Sequence, residues 1–153
     1  MDLKEVIQII TSFAGSFGFA LLYNLRGRKL FVAGLAGMVS WTIYLIVWGR
    51  VPDTFTANLA AAGAATIYAE VMARILKTPV TVFLITGIIP LVPGGGLYYT
   101  MNYAIAKEWN LFSYYGQQTM LTAASIAAGI IAASSIYGFC SASLHYYRKF
   151  HIR

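Results

Sequence analysis

Ile88-Ile89-Pro90-Leu91-Val92-Pro93-Gly94-Gly95-Gly96-Leu97-Tyr98-Tyr99 interrupts an apolar stretch long enough to span a membrane. Proline removes a backbone donor and clashes with the preceding turn, and three consecutive glycines leave the main chain unscreened, so no helix runs straight through this segment. The peptide groups it frees must meet something polar. Non-helical backbone at membrane depth is tolerated only against protein or a wet cavity, because an unsatisfied backbone group in hydrocarbon is costly.

The surrounding composition makes membrane depth the right frame. The 153 residues are 59% hydrophobic and 10% charged, with a mean hydropathy of +0.67, against roughly 25% charged residues in a soluble domain. The expected fold is an all-α integral membrane protein. A single polytopic domain covers residues 1–153, with five crossings near 6–24, 30–49, 54–76, 79–106 and 117–145, the fourth discontinuous at Pro90 to Gly96. No soluble domain, linker or repeat is legible, so function must sit within the helices or need a partner chain. The opening stretch is read as a span and not a secretory signal. Its leader is net acidic, and a second apolar segment follows a short basic turn.

A net charge of +6 does not point to nucleic acid, because the basic residues divide by membrane side. With an external N-terminus and a cytoplasmic C-terminus, Arg26, Arg28, Lys29, Arg74, Lys77, Arg148, Lys149 and Arg153 fall inside. Lys4, Arg50 and Lys107 fall outside, so the positive-inside rule is obeyed. Asp2, Glu5, Asp53 and Glu108 all lie on the outer side. Trp48, Trp109, Phe112, Tyr114 and Tyr115 read as anchors at the outer edge, and Tyr146, Tyr147 and Phe150 as anchors at the inner one. Ser125, Gly129 and Ala133, with Ala124, Ala128 and Ala132 beside them, form a small-residue stripe suited to close helix packing. The lone Cys140 excludes an internal disulfide and reads as a small packing residue.

Within the fourth segment, Thr78 reads as a cap and Pro79 as the first helical residue. A half-helix to Ile89 advances roughly 16 Å, about half of a 30 Å hydrocarbon core, which places the glycines near the midplane. Leu97 to Ala106 then completes the crossing. A re-entrant hairpin is the competing reading, but it would move Arg148, Lys149 and Arg153 outside and erase the charge asymmetry. The new helix start presents peptide N–H groups and the positive end of the backbone dipole, an anion site without a cation. The candidate substrate-binding residues are Pro93, Gly94, Gly95, Gly96, Tyr98 and Asn102, the last two sharing one helical face. Tyr99 and Tyr103 form a second such pair. The bland alternative is a structural kink whose freed groups are met by protein, with Thr86 as one candidate.

Glu70 and Arg74 are four apart in the order that favours a helical ion pair. Arg74 can snorkel inward, whereas Glu70 must be paired, protonated or facing water. A local structural pair and a proton acceptor coupled to transport are both open. Asn58 and Thr66 can line a path or bond between helices. His145 and His151 fall among interfacial residues, so no metal site is legible, and no cofactor is expected.

The Ala73-Arg74-Ile75-Leu76-Lys77-Thr78-Pro79 turn, followed by the break through Tyr98, resembles the threonine/serine exporter family. More narrowly, it is similar to that family's small separate membrane subunit, which corresponds to the C-terminal half of longer single-chain members. Arg74, Pro79, Pro90, Pro93, Gly94, Gly95 and Tyr98 carry the likeness; Glu70 and Gly96 do not. The resemblance implies a companion membrane subunit with a cytoplasmic region and a secondary exporter of small carboxylates in the cell membrane. Threonine and serine are the implied solutes, with succinate also attributed to such split pairs. A proton gradient is the expected driving force, with alternating access around a carboxylate at the break. A noncatalytic assembly subunit and a homo-oligomeric channel are the alternative functions. No His-Glu-x-x-His or Gly-x-Ser-x-Gly pattern occurs, and no paired acids occupy a span, so an enzyme is not expected.

Overall fold

The computed structural model describes residues 3–150, with side chains described through Cys140. The described residues are helical, in the order α1 (Leu3–Leu22), α2 (Arg28–Trp48), α3 (Thr54–Leu76), α4 (Val80–Ile88), a 3-10 turn (Ile89–Leu91), α5 (Gly94–Ile105) and α6 (Trp109–Phe150). Four helices are long and apolar enough to cross a membrane, and α4 with α5 makes a fifth crossing if the bent pair is one span. That pair bends by 58° at the break. The chain is deflected there, not reversed, and α5 packs along α6 instead of returning beside α4.

Small residues hold the helices together. The packed face of α3 carries Ala57, Ala61, Ala62, Ala65, Ala69 and Ala73, and that of α2 carries Ala33, Gly34, Ala36, Gly37 and Ser40. Lipid is as apolar as leucine, so close backbone approach supplies the attraction that large side chains supply in water. The large apolar side chains accordingly point outward, as at Leu22, Ile105 and Phe139. The stripe expected on the last helix is in place: Ser125, Gly129 and Ala133 are buried against α3. The match is closest at Gly129, whose ideal Cβ would meet Ala62 Cβ at 3.1 Å and the Gly63 nitrogen at 3.2 Å.

Caps explain the borders. Asp53 precedes α3, and its carboxylate accepts the Thr56 N–H at 2.9 Å. That backbone donation holds the Asp53 carboxyl below the usual aspartate range. At the other end of α3, Lys77 takes a left-handed conformation, φ 48°, and donates its N–H to Ala73 O. Thr78 does not cap α4 as expected: Pro79 occupies the cap position, and the Thr78 hydroxyl donates backward to Leu76 O at 3.0 Å.

Other expectations shift. The last helix begins at Trp109 instead of 117, and its 42 residues extend roughly 63 Å, about twice the hydrocarbon thickness. Trp109, Phe112, Tyr114 and Tyr115 are therefore residues of its first two turns, and α5 pairs with this extension. Cys140, expected as a small packing residue, is exposed on α6 among the described residues. The inner-end side chains of His145, Tyr146, Tyr147, Arg148, Lys149 and Phe150, along with His151 and Arg153, lie outside the described residues, as do Met1 and Asp2.

Candidate functional site

The break is built in three steps. Pro90, inside the 3-10 turn, offers no N–H to the preceding helical turn. The exposed end of α4 is then met from α2: the buried Ser40 hydroxyl lies 2.6 Å from Gly87 O, to which it donates. Thr86, the expected candidate for this role, instead donates within its own helix to Val82 O at 3.0 Å and Phe83 O at 3.1 Å. Replacing Ser40 by alanine strands a buried carbonyl. This substitution is expected to lower stability by about 1–3 kcal/mol, read as a fall in the unfolding midpoint in detergent.

Pro93 comes next, with φ −78° and ψ 57°, the geometry of an inverse γ-turn. The Gly94 N–H closes that turn on Val92 O at 2.8 Å, and the Leu97 N–H makes the first bond of α5, to Pro93 O at 3.0 Å. The amides of Gly95 and Gly96 lie between these two and precede the intrahelical ladder. Two donors thus stand at the α5 start ahead of its ladder, fewer than the four of a bare helix start, together with the positive end of the α5 dipole.

Glycine serves different purposes along the triplet. A Cβ on Gly96 would collide with the Thr119 hydroxyl of α6, so Gly96 is required by helix packing, whereas a Cβ on Gly94 or Gly95 would meet nothing within 4 Å. None of the three needs a left-handed backbone. Gly94 and Gly95 are bare main chain turned away from the rest of the protein.

The 3-10 turn packs into the bundle, where Leu91 lies with Ala61, Ala62 and Ile126, with Trp41 against that cluster. Gly96 faces Thr119, seven residues before Ile126 along α6, a displacement of roughly 10 Å at 1.5 Å per residue. The glycines therefore sit nearer the start of α6 than the 3-10 turn does.

Tyr98 and Asn102 share the exposed face of α5 with Gly94, and no residue of α5 is buried. Tyr99 and Tyr103 turn the other way, each with its ring centroid 5.3 Å from that of Tyr115 on α6. The expected ligand face is thus open along the side of the chain. Beside it, Leu97, Phe112, Met120 and Leu121 help line an apolar groove of about 630 Å³.

Glu70 and Arg74 form a separate constellation. Arg74 Nη1 is 2.6 Å from Glu70 Oε2 and 2.8 Å from Glu70 O, and its guanidinium carbon lies 4.3 Å from the Tyr137 ring centroid on α6. The Glu70 side chain is 17% exposed and that of Arg74 51%. The pair lies within one turn of α3, and among the described residues none of its contacts reaches the break. Asn58 and Thr66 do not reach across helices: each donates to its own α3, to Thr54 O and Ala62 O, both at 2.8 Å. No group of three or more His, Cys, Asp or Glu comes together among the described residues.

Sequence reasoning passed over Ser40, Tyr137 and Tyr68, whose hydroxyl donates to Val32 O at 2.9 Å. Single polar residues within an apolar helix carry no periodic signal, and only the fold shows which carbonyl each one meets.

A family model described as Threonine/Serine exporter, ThrE, matches residues 8–136, which include every element of the break. The chain belongs to the threonine/serine exporter family. No curated protein and no solved structure matches it. Membership makes this helical chain a multi-pass membrane protein of a transporter family. In this threonine/serine exporter family member the matched region also takes in Glu70 and Arg74 and ends one residue before Tyr137.

Proposed function

We propose that this chain is the membrane subunit of a secondary exporter in the cell membrane. It acts with a companion membrane subunit that carries a cytoplasmic region, and its own N-terminus is outside. The solute is a small carboxylate: threonine or serine, or a dicarboxylate such as succinate. The observation that carries the reading is the open α5 start: a Cβ on Gly95 would meet nothing within 4 Å, and the Gly95 and Gly96 amides precede the first bond of the α5 ladder, from Leu97 N–H to Pro93 O. A carboxylate suits these donors because charge-assisted hydrogen bonds and the helix dipole both favour an anion there.

The open face also supports a companion. The Gly95 and Gly96 amides, which precede the α5 ladder, are tolerable within a bilayer only when protein or a wet cavity covers them. A second copy of this chain is the other source of such a cover.

The driving force is a proton gradient, with Glu70 as the acceptor. Support comes from its low exposure and its charge partner within the span. Proteoliposomes holding the chain with its co-purified companion test this. The wild-type pair is expected to accumulate labelled threonine under an imposed pH gradient. Glu70→Gln is expected to abolish gradient-driven accumulation while preserving exchange of labelled for unlabelled threonine. Undiminished gradient-driven accumulation by Glu70→Gln excludes Glu70, and a pair inert towards threonine, serine and succinate excludes the exporter.

A further inference from the structure

Away from the break, a cleft of about 330 Å³ opens between the start of α1 and the end of α2. Glu5 and Ile9, one turn apart, form its α1 wall, and Leu45 and Ile46 form its α2 wall. Arg50 follows the end of α2 and Thr42 lies eight residues before it, so the cleft runs roughly 12 Å along the helix. One end is charged and the other apolar. At the deep end Thr42 adds no free donor, because its hydroxyl donates to Met38 O at 2.7 Å. Ile9 and Leu45 are half-buried and Ile46 is 48% exposed, which leaves the groove open along its side.

Backbone bonds fix the charged end. The Gly49 N–H donates to Leu45 O and the Arg50 N–H to Val47 O, both at 3.0 Å, so the turn carrying Arg50 is tied back onto α2. Among the described residues the Arg50 guanidinium has no ion pair and no hydrogen bond. Arg26 and Arg74, by contrast, each bond to a side chain of the same protein. Five N–H donors in a fixed fork are thus available at the mouth of the cleft.

The length of α2 sets the level of this mouth. Its 21 residues advance about 31 Å, the thickness of a hydrocarbon core, so a crossing α2 places its last turn at the membrane border. Trp48 on that turn, stacked on Tyr44 at 5.9 Å between centroids, is the residue type that settles among headgroups.

A charged mouth over an apolar groove has the polarity of a single phospholipid. A soluble anion would use the mouth alone and leave Ile9, Leu45 and Ile46 uncovered. The two charges narrow the headgroup further. A guanidinium matches a phosphodiester bidentately, and a carboxylate has lone pairs enough to accept from an ammonium alongside the contact that Glu5 already makes. A glycerol headgroup leaves its net negative charge facing Glu5, and a choline headgroup has no N–H to donate.

We infer that this cleft holds one phospholipid with a primary-ammonium headgroup, of the phosphatidylethanolamine class, as a clip between α1 and α2. Arg50 takes the phosphate, Glu5 takes the ammonium, and one acyl chain lies against Ile9, Leu45 and Ile46. The site shares no residue with the α5 start and does not depend on the export reading.

The test is native mass spectrometry of the full chain, released from detergent micelles that hold equal amounts of tail-matched phosphatidylethanolamine, phosphatidylcholine and phosphatidylglycerol. Wild type is expected to retain the ethanolamine lipid in preference to both others. Arg50→Gln is expected to weaken that retention about tenfold, as loss of one charge-assisted hydrogen bond predicts. Glu5→Gln is expected to erase the preference over phosphatidylglycerol. Lys4→Gln, on the same end of α1 but outside the cleft, is expected to bind as wild type does. Equal retention of the three lipids overturns the inference, as does a loss shared by Lys4→Gln or a preference that survives Glu5→Gln. Displacement of the lipid by an equal concentration of free phosphoethanolamine means that only the mouth binds, which also overturns it. The wild-type preference needs no variant, so a substitution that fails to fold does not shield the inference.

Discussion

Gly129→Leu is expected to cost the protein its α3–α6 contact. At this position α6 lies directly on the backbone of α3: an added Cβ would run into the Leu59 carbonyl, with Ala62 Cβ at 3.1 Å and the Gly63 nitrogen at 3.2 Å behind it. A side chain in the way can rotate, but a carbonyl inside a helical ladder cannot move without breaking its bond. The two helices must therefore separate along the longest interface in the fold. Overpacking a well-filled contact costs about 1–3 kcal/mol, and this site belongs at or beyond the upper end because backbone blocks the way. The measurement is the unfolding midpoint in detergent, with Gly138→Leu as control, since a Cβ there meets nothing within 4 Å. Equal stability of the two variants contradicts the packing described above.

That contact was legible in the sequence because it rests on a period. Ser125, Gly129 and Ala133 repeat every four residues, and a helix turns such a repeat into one face. The break was equally legible, since Pro90, Pro93 and three glycines are local chemistry that no tertiary setting restores to a straight helix. What stayed hidden was non-local. Whether Thr86 or Ser40 meets the freed carbonyl depends on which helix lies alongside. Thr78 loses its expected cap to Pro79 because its hydroxyl finds Leu76 O first.

The start of α6 was misplaced because its first turns, Trp109 to Gly116, read as an aromatic membrane border. In the fold they are a helix that α5 packs against.

The largest functional effect is expected from Gly95→Leu, and the geometry separates it from a folding defect. A Cβ at Gly95 meets nothing within 4 Å, so the folded chain and its helix packing should persist. In a helix the Cα–Cβ bond tilts toward the N-terminus. A leucine here therefore leans over its own helix start, where an anion must lie to reach the Gly95 and Gly96 amides. Losing one charge-assisted hydrogen bond costs about 1.5–3 kcal/mol, so transport at low solute should fall roughly ten- to a hundredfold. Gly95→Ala, with one methyl in place of an isobutyl group, should fall between leucine and the wild type.

Gly96→Leu gives the contrast. Its side chain would strike Thr119, so it is expected to lose stability as well as flux. Flux measured alongside recovery of the intact complex decides the matter. Lost transport in a fully assembled Gly95→Leu complex supports a ligand at these amides. Lost assembly would instead mean that the bare backbone at Gly95 is a docking surface for the neighbouring subunit. Unchanged flux and assembly would leave the α5 start with no part in recognition.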